Sequence, residues 1–127
     1  YLTRLDNDLL ELLEASVNGT LDQLDLKWNV PASVCVVMAS GGYPGPITKG
    51  HPIRGLEDAA RQPNTKVFHA GTAMVGDRIV TSGGRVLGIT AWAKNLTDAK
   101  AAAYAAVDRI EFEGAHCRRD IAAKGLR

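Results

Sequence analysis

Arg85 follows two glycines in the stretch Thr81-Ser82-Gly83-Gly84-Arg85-Val86-Leu87-Gly88-Ile89-Thr90-Ala91. Glycines leave backbone N–H groups open to a ligand. A guanidinium is a permanently charged planar fork that meets phosphate or carboxylate through paired hydrogen bonds. Read alone, the stretch fits an anion site or a glycine hairpin with its arginine on the surface. A second glycine corner, Gly41-Gly42-Tyr43-Pro44-Gly45-Pro46, closes the apolar run that ends at Ala39. Such a corner is either a tight turn or a place where something must come close to the main chain. It lacks the G-x-x-x-x-G-K-S/T pattern of a phosphate loop, and no helix follows it at once. His69 stands in Val67-Phe68-His69-Ala70-Gly71-Thr72, just before a glycine turn and a hydroxyl. No acid or nucleophile lies at a diagnostic spacing from it, so a Ser-His-Asp triad has no support. The histidine reads as bonded to a neighbouring loop or as part of a cleft wall.

The elements that must position these residues fit in one ordinary domain of 127 residues. With 46% hydrophobic and 23% charged residues the chain can build a core and is not disordered. No apolar run approaches the roughly 18–20 residues of a membrane helix, so no membrane partner is expected. The opening residues are no signal peptide, since acids follow almost at once. The net charge of +1 is unevenly spread: residues 1–32 carry six acids against two bases, and residues 33–127 carry thirteen bases against eight acids. A solvated surface explains that excess, and so does attraction for a phosphorylated or carboxylated ligand. A pI near 8.0 is too mild for a nucleic-acid binder, and no aromatic pair is interleaved with Arg118-Arg119 to stack bases. An Arg119–Asp120 surface pair is expected there instead. Cys35 reads as a small buried hydrophobe, and His116-Cys117 lacks the further ligands of a zinc site.

Leu5, Leu9, Leu12, Leu13 and Val17 recur at helical spacing, with Asp6 or Asn7 placed to cap the start and Gly19 the end. Residues 20–31 read as a turn region closed by Pro31, the candidate domain boundary. Residues 32–39 form the strongest strand signal, and their unbroken apolarity predicts cover on both faces. Residues 41–66 read as loop with one short helix over 56–61. Strands are expected at 66–70, 78–82 and 85–92, with Gly76-Asp77 as a hairpin turn between the first two and Gly83-Gly84 as another between the next two. A helix over 96–110 follows, capped by Asn95 with Asp98 three positions on, burying Leu96, Ala99, Ala103, Val107 and Ile110. A short strand at 111–112 and a basic tail complete the chain. The sum is an α+β fold, a small antiparallel sheet packed with one main helix.

Taken together, Val36 to Gly45, Thr48-Lys49-Gly50 with Ile53-Arg54-Gly55-Leu56, Val67 to Thr72, Thr81 to Ala91, Ala103 to Gly114 and Arg118 to Ala122 form one ordered series. The series resembles the carboxy-terminal part of the phosphoribosylamine–glycine ligases, members of the ATP-grasp superfamily, over 5–126. The resemblance implies that residues 1–31 are the last helix and connector of an ATP-grasp domain. Residues 32–127 would then be the C-terminal α+β domain. It implies a cytoplasmic enzyme of purine biosynthesis that joins glycine to 5-phosphoribosylamine, giving glycinamide ribonucleotide, ADP and phosphate. ATP and Mg2+ would be bound mainly by residues absent from this chain, in the missing N-terminal and ATP-grasp domains. A start at Tyr1 agrees with a cut piece, expected to be inactive alone. No catalytic residue and no metal ligand is assigned here. Gly41, Gly42, Tyr43, Gly83, Gly84 and Arg85 are the expected substrate-binding residues, with His69 and Thr72 candidates for the same cleft. The sequence departs from the family at Ala122-Ala123, where a glycine is usual, and at Pro46-Ile47. The competing reading is a free-standing, non-catalytic binding or assembly module that keeps the fold.

Overall fold

A computed structural model describes residues 1–126. Its elements in chain order are α1 (Leu9–Asn18), β1 (Ala32–Ala39), α2 (Leu56–Ala60), β2 (Thr65–His69), β3 (Thr72–Val75), β4 (Arg78–Thr81), β5 (Arg85–Ala93) and α3 (Leu96–Val107). This is the expected α+β arrangement, with differences that each have a local cause.

The first helix starts later than the leucine spacing suggests. Asp8 is the cap, its carboxylate accepting from the N–H groups of Leu10 at 2.8 Å and Glu11 at 3.5 Å. Asn7 is occupied elsewhere: its amide donates to the Asp25 carbonyl and its oxygen accepts from the Lys27 N–H. Leu5 lies outside the helix in a bridge to Trp28, and the Arg4 guanidinium sits 5.5 Å over that indole. Gly19, at φ 70, ends the helix as expected. The side-chain hydrogen bonds of Arg4, Asn7 and Asp8 all close within residues 4–30.

The main sheet has the order β1-β5-β2, antiparallel throughout. Val36 pairs with Ile89, and Ile89 with Val67, so these three share a face. Alpha-helix α3 covers that face with Ala99, Ala103, Ala106 and Val107. Small side chains on the helix let its backbone approach the sheet closely, and their burial excludes water from one continuous core. Asn95 accepts from the Asp98 N–H at 2.9 Å and donates to the Asp98 carboxylate at 2.8 Å, a reciprocal cap. The helix ends at Val107, short of the expected Ile110, which a turn still delivers to the core.

The opposite face is open. Residues of β1 alternate between buried and exposed, so Cys35 and Val37 face outward and the expected cover on both sides is corrected. One helix can shield only one side of a three-stranded sheet. Val37 is 43% and Phe68 40% exposed, bracketing Gly88 in the same row.

Strands β3 and β4 form a separate ribbon turning at Gly76-Asp77, so the hairpin expected between 66–70 and 78–82 is corrected: β2 pairs with β5, and the turn joins β4 to the intervening β3. The sequence pattern missed β3, because Ala73, Met74 and Val75 all stand exposed and offer no alternation. Residues 50–53 extend the ribbon, with Gly50 N–H donating to the Thr81 carbonyl at 2.7 Å and Ile53 N–H to Ile79 at 2.9 Å. Gly83-Gly84 is therefore not a hairpin turn: it carries the chain from one sheet to the other. The expected strand at 111–112 reduces to one bridge, Arg54 with Glu111.

Two positions report on this packing. Gly55, at φ +78, stands against the Arg109 carbonyl, where any Cβ would overlap. Ala122 adopts φ 64, the left-handed region that favours glycine, at the pair where the family resemblance leads one to expect that residue. Gly55→Ala should cost this chain at least about 3 kcal/mol in urea unfolding. Ala122→Gly should instead stabilise it by about 0.5–1 kcal/mol.

Candidate functional site

Three strand ends meet at one edge of the main sheet. At the end of β1, Ser40 donates its N–H to the Gly84 carbonyl at 2.8 Å and its hydroxyl to the Gly83 carbonyl at 2.9 Å. At the end of β2, Gly71 donates its N–H to the Arg85 carbonyl at 2.8 Å and accepts from the Ser82 N–H at 2.7 Å. The turn 83–85 is thus held from both sides. A Cβ on Gly71 would lie 2.6 Å from the Arg85 oxygen and 2.7 Å from the Gly83 Cα, so only glycine allows this approach.

The first glycine corner packs onto the second. Tyr43 donates its N–H to the Ser40 carbonyl at 3.1 Å, and its ring lies on Gly84, where a side chain would collide with it. Gly42 takes φ +88, and Gly41 touches the backbone of Gly114. Both readings of this corner hold: it is a tight turn, and other backbone does come close. The N–H groups of Gly41, Gly42, Gly83 and Gly84 donate to no main-chain carbonyl among the described residues.

Arg85 and Tyr43 line two adjoining cavities on the open face, of about 560 and 370 Å³. Val37, Phe68 and Gly88 contribute to the first, and Cys35, His116, Cys117 and Arg118 to the second. Arg85 is exposed and forms no ion pair among the described residues, whereas Arg61, Arg118 and Arg119 are each paired. Of the four expected glycines Gly84 lines the first cavity, while Gly41, Gly42 and Gly83 line neither and serve the turns behind it. A guanidinium without an ion-pair partner beside an apolar floor can bind a phosphate or carboxylate.

His69 and Thr72 are not brought to these cavities. Strand alternation sets His69 on the face opposite Phe68, and its Nδ1 lies 3.1 Å from the Thr72 hydroxyl. They form a local pair at the same sheet edge. A separate hydroxyl–imidazole–carboxylate line, Thr48–His51–Glu113, with steps of 2.8 and 3.2 Å, ties the 48–51 loop to residue 113 and leaves Glu113 in solvent. Sequence reasoning missed Ser40, Gly71, the apolar floor and the tail wall. The polar residue ending an apolar strand was the available signal for Ser40.

The tail wall is fixed by Tyr104 of α3, whose hydroxyl donates to the Arg118 carbonyl at 2.7 Å and accepts from the Ile121 N–H at 3.2 Å. Arg118 pairs with Asp120, with Nε 2.9 Å from Oδ1, and Arg119 pairs with Asp108 at 2.7 Å over the Tyr104 ring. The expected Arg119–Asp120 pair is thus corrected: Arg118 takes Asp120, and Arg119 reaches Asp108 at the end of α3 instead. The hydrogen bond from Arg118 holds the Asp120 carboxyl below its ordinary value, and Asp120 raises that of Arg118 in return.

Among the described residues, no group of three or more His, Cys, Asp or Glu side chains could hold a metal ion. No described helix is long and apolar enough to cross a membrane.

Fold and site together define an α+β domain that presents a cation and glycine backbone at one edge of a half-covered sheet. The family profile described as phosphoribosylglycinamide synthetase, C domain, matches residues 33–124, and the chain belongs to that family. The phosphoribosylamine–glycine ligase of Rhodopirellula baltica is 48% identical over 126 residues, covering 98% of this chain and 29% of that protein. The ligase of the same name from Rhizobium meliloti is 50% identical over 120 residues, covering 94% and 28%. A crystal structure of the Thermotoga maritima phosphoribosylamine–glycine ligase superposes with a TM-score of 0.63 at 29% identity, covering 84% of this chain and 27% of that one. The chain spans less than a third of the length of these relatives.

The Asp120 pair carries a signed pH expectation. Its folded value lies below its unfolded value, so its contribution is present above the unfolded value and is lost as pH falls through the folded one. An NMR titration of the Asp120 carboxyl should give a midpoint below 3.8, and Arg118→Ala should move it upward.

Proposed function

We propose that this chain is the C-terminal, substrate-facing part of a phosphoribosylamine–glycine ligase, an ATP-grasp enzyme of cytoplasmic purine biosynthesis. The observation that carries the reading is the unpaired Arg85 beside Gly83-Gly84 and Tyr43, in a chain that belongs to this family. The reaction joins the glycine carboxylate to the amine of 5-phosphoribosylamine, yielding glycinamide ribonucleotide, ADP and phosphate. ATP supplies the activation of the carboxylate when bound with Mg2+. In this reading nucleotide and metal are held mainly by residues outside this chain.

What these residues contribute is binding and orientation. Arg85 receives the phosphate or carboxylate of a substrate through two parallel hydrogen bonds. Gly84 adds backbone at the cavity wall without side-chain bulk, and Gly41, Gly42 and Gly83 form the turns that carry it. Tyr43, Val37 and Phe68 wall one side of the cavity, and closure of the cleft by the neighbouring domains would exclude water and strengthen the charge–charge contacts inside. Positioning of this kind supplies much of the rate in ligation, because it removes the entropy of bringing two substrates together. His69 and Thr72 stand at the same sheet edge, paired across the β2–β3 turn, as further candidates for the wall of the completed cleft.

The proposed division falls between residues 1–31 and 32–127. It is supported by the side-chain bonds that close within 4–30, by a profile match that begins at 33, and by a main core that starts at Ala32. Residues 1–31 then belong with the ATP-grasp domain, and that domain and the N-terminal one are the partners of this chain. No specific observation favours a free-standing module.

In the full-length protein, Arg85→Ala should raise the KM for 5-phosphoribosylamine or glycine about tenfold or more, as loss of a charged hydrogen-bond pair does. Unchanged constants for both substrates remove Arg85 from the site. The 127-residue chain alone should form no ADP from ATP, glycine and phosphoribosylamine.

A further inference from the structure

We infer that Ser40 is a positioning residue that sets Arg85 and Tyr43 in one geometry toward the ligand. The inference rests on the reading of Arg85 given above. Ser40 is polar yet only 2% exposed, and it spends all three of its polar groups on this one corner. Its hydroxyl donates to the Gly83 carbonyl, its N–H to the Gly84 carbonyl, and its own carbonyl accepts from the Tyr43 N–H, at 2.9, 2.8 and 3.1 Å. Gly83 and Ser40 are 43 positions apart in sequence, so this contact joins two segments that have no local reason to stay together.

Two consecutive glycines make the turn before Arg85 the least constrained backbone near the site. A long side chain amplifies any movement of its Cα, and a displacement of about 1 Å at a binding group is enough to lose most of its effect. Gly71 restrains the turn through the Arg85 carbonyl, on the β2 side. Ser40 restrains it through the two preceding carbonyls, on the β1 side. The Tyr43 ring rests on Gly84, so tyrosine and arginine move together when that restraint is lost. Removing the hydroxyl leaves the Gly83 carbonyl short of one donor and returns freedom to the turn.

The test is a double-mutant cycle in the full-length protein that carries this chain, with amide hydrogen exchange beside the kinetics. Ser40→Ala should raise the KM of the substrate bound by Arg85 about three- to tenfold, with a smaller change in kcat. On an Arg85→Ala background the same substitution should add clearly less than it does alone, because most of its effect passes through that side chain and only the part carried by Tyr43 remains. Exchange at Tyr43 and Gly71 should accelerate in Ser40→Ala while α3 keeps its protection. A KM for Ser40→Ala equal to that of wild type, or an effect that simply multiplies that of Arg85→Ala, overturns the inference. Unchanged exchange at both amides overturns it as well. If Arg85→Ala alone leaves both substrate constants unmoved, the substrate reading fails first. Exchange then decides by itself whether Ser40 holds the turn.

Discussion

Three hydrogen bonds onto three consecutive carbonyls, those of Gly83, Gly84 and Arg85, connect the elements that make up this edge of the domain. Ser40 supplies two from the end of β1, and Gly71 supplies the third from the end of β2. Without them the chain leaving β4 would reach β5 through two unconstrained glycines. Each such bond contributes only about 0.5–1.5 kcal/mol to net stability. Their importance lies in direction: they convert a flexible crossing between two sheets into a fixed mount for a guanidinium. The requirement for bare backbone follows, since Gly71 approaches Gly83 and the Tyr43 ring covers Gly84 too closely for side chains.

The sheet that carries this mount is asymmetric. Alpha-helix α3 seals one face with alanines, which commits the buried residues of β1, β2 and β5 to a dry core. The other face keeps Cys35, Val37 and Phe68 in contact with solvent. A half-covered sheet costs hydrophobic stabilisation in this chain and leaves a wall with apolar character beside a cation. Such a surface is suited to a cleft completed from elsewhere, as expected of a domain whose relatives are more than three times as long.

Much of this architecture was legible in the residues, and what was not has definite causes. The helix cap at Asn95, the helix end at Gly19, the turn at Gly76-Asp77 and the strands around Val36 and Ile89 were readable, because local chemistry dictates each. The early start assigned to the first helix failed because Asn7 and Leu5 are claimed by residues 25–28, contacts that no local pattern encodes. Continuous apolarity in β1 suggested two covered faces, since periodicity cannot show whether a second layer exists. At the site, Arg85, the two glycine pairs and Tyr43 were visible from residue type alone. Ser40 and Gly71 were not, since their role depends on strands that meet only in three dimensions.

The proposed chemistry asks this domain for shape and positive charge and asks its absent neighbours for nucleotide and metal. The most direct test is a crystal structure of the full-length protein with glycinamide ribonucleotide bound. The account predicts a phosphate or carbonyl oxygen of that molecule within hydrogen-bond reach of the Arg85 guanidinium, with the Tyr43 ring still seated on Gly84. A bound product whose oxygens are all held elsewhere, with Arg85 turned to solvent, would contradict it.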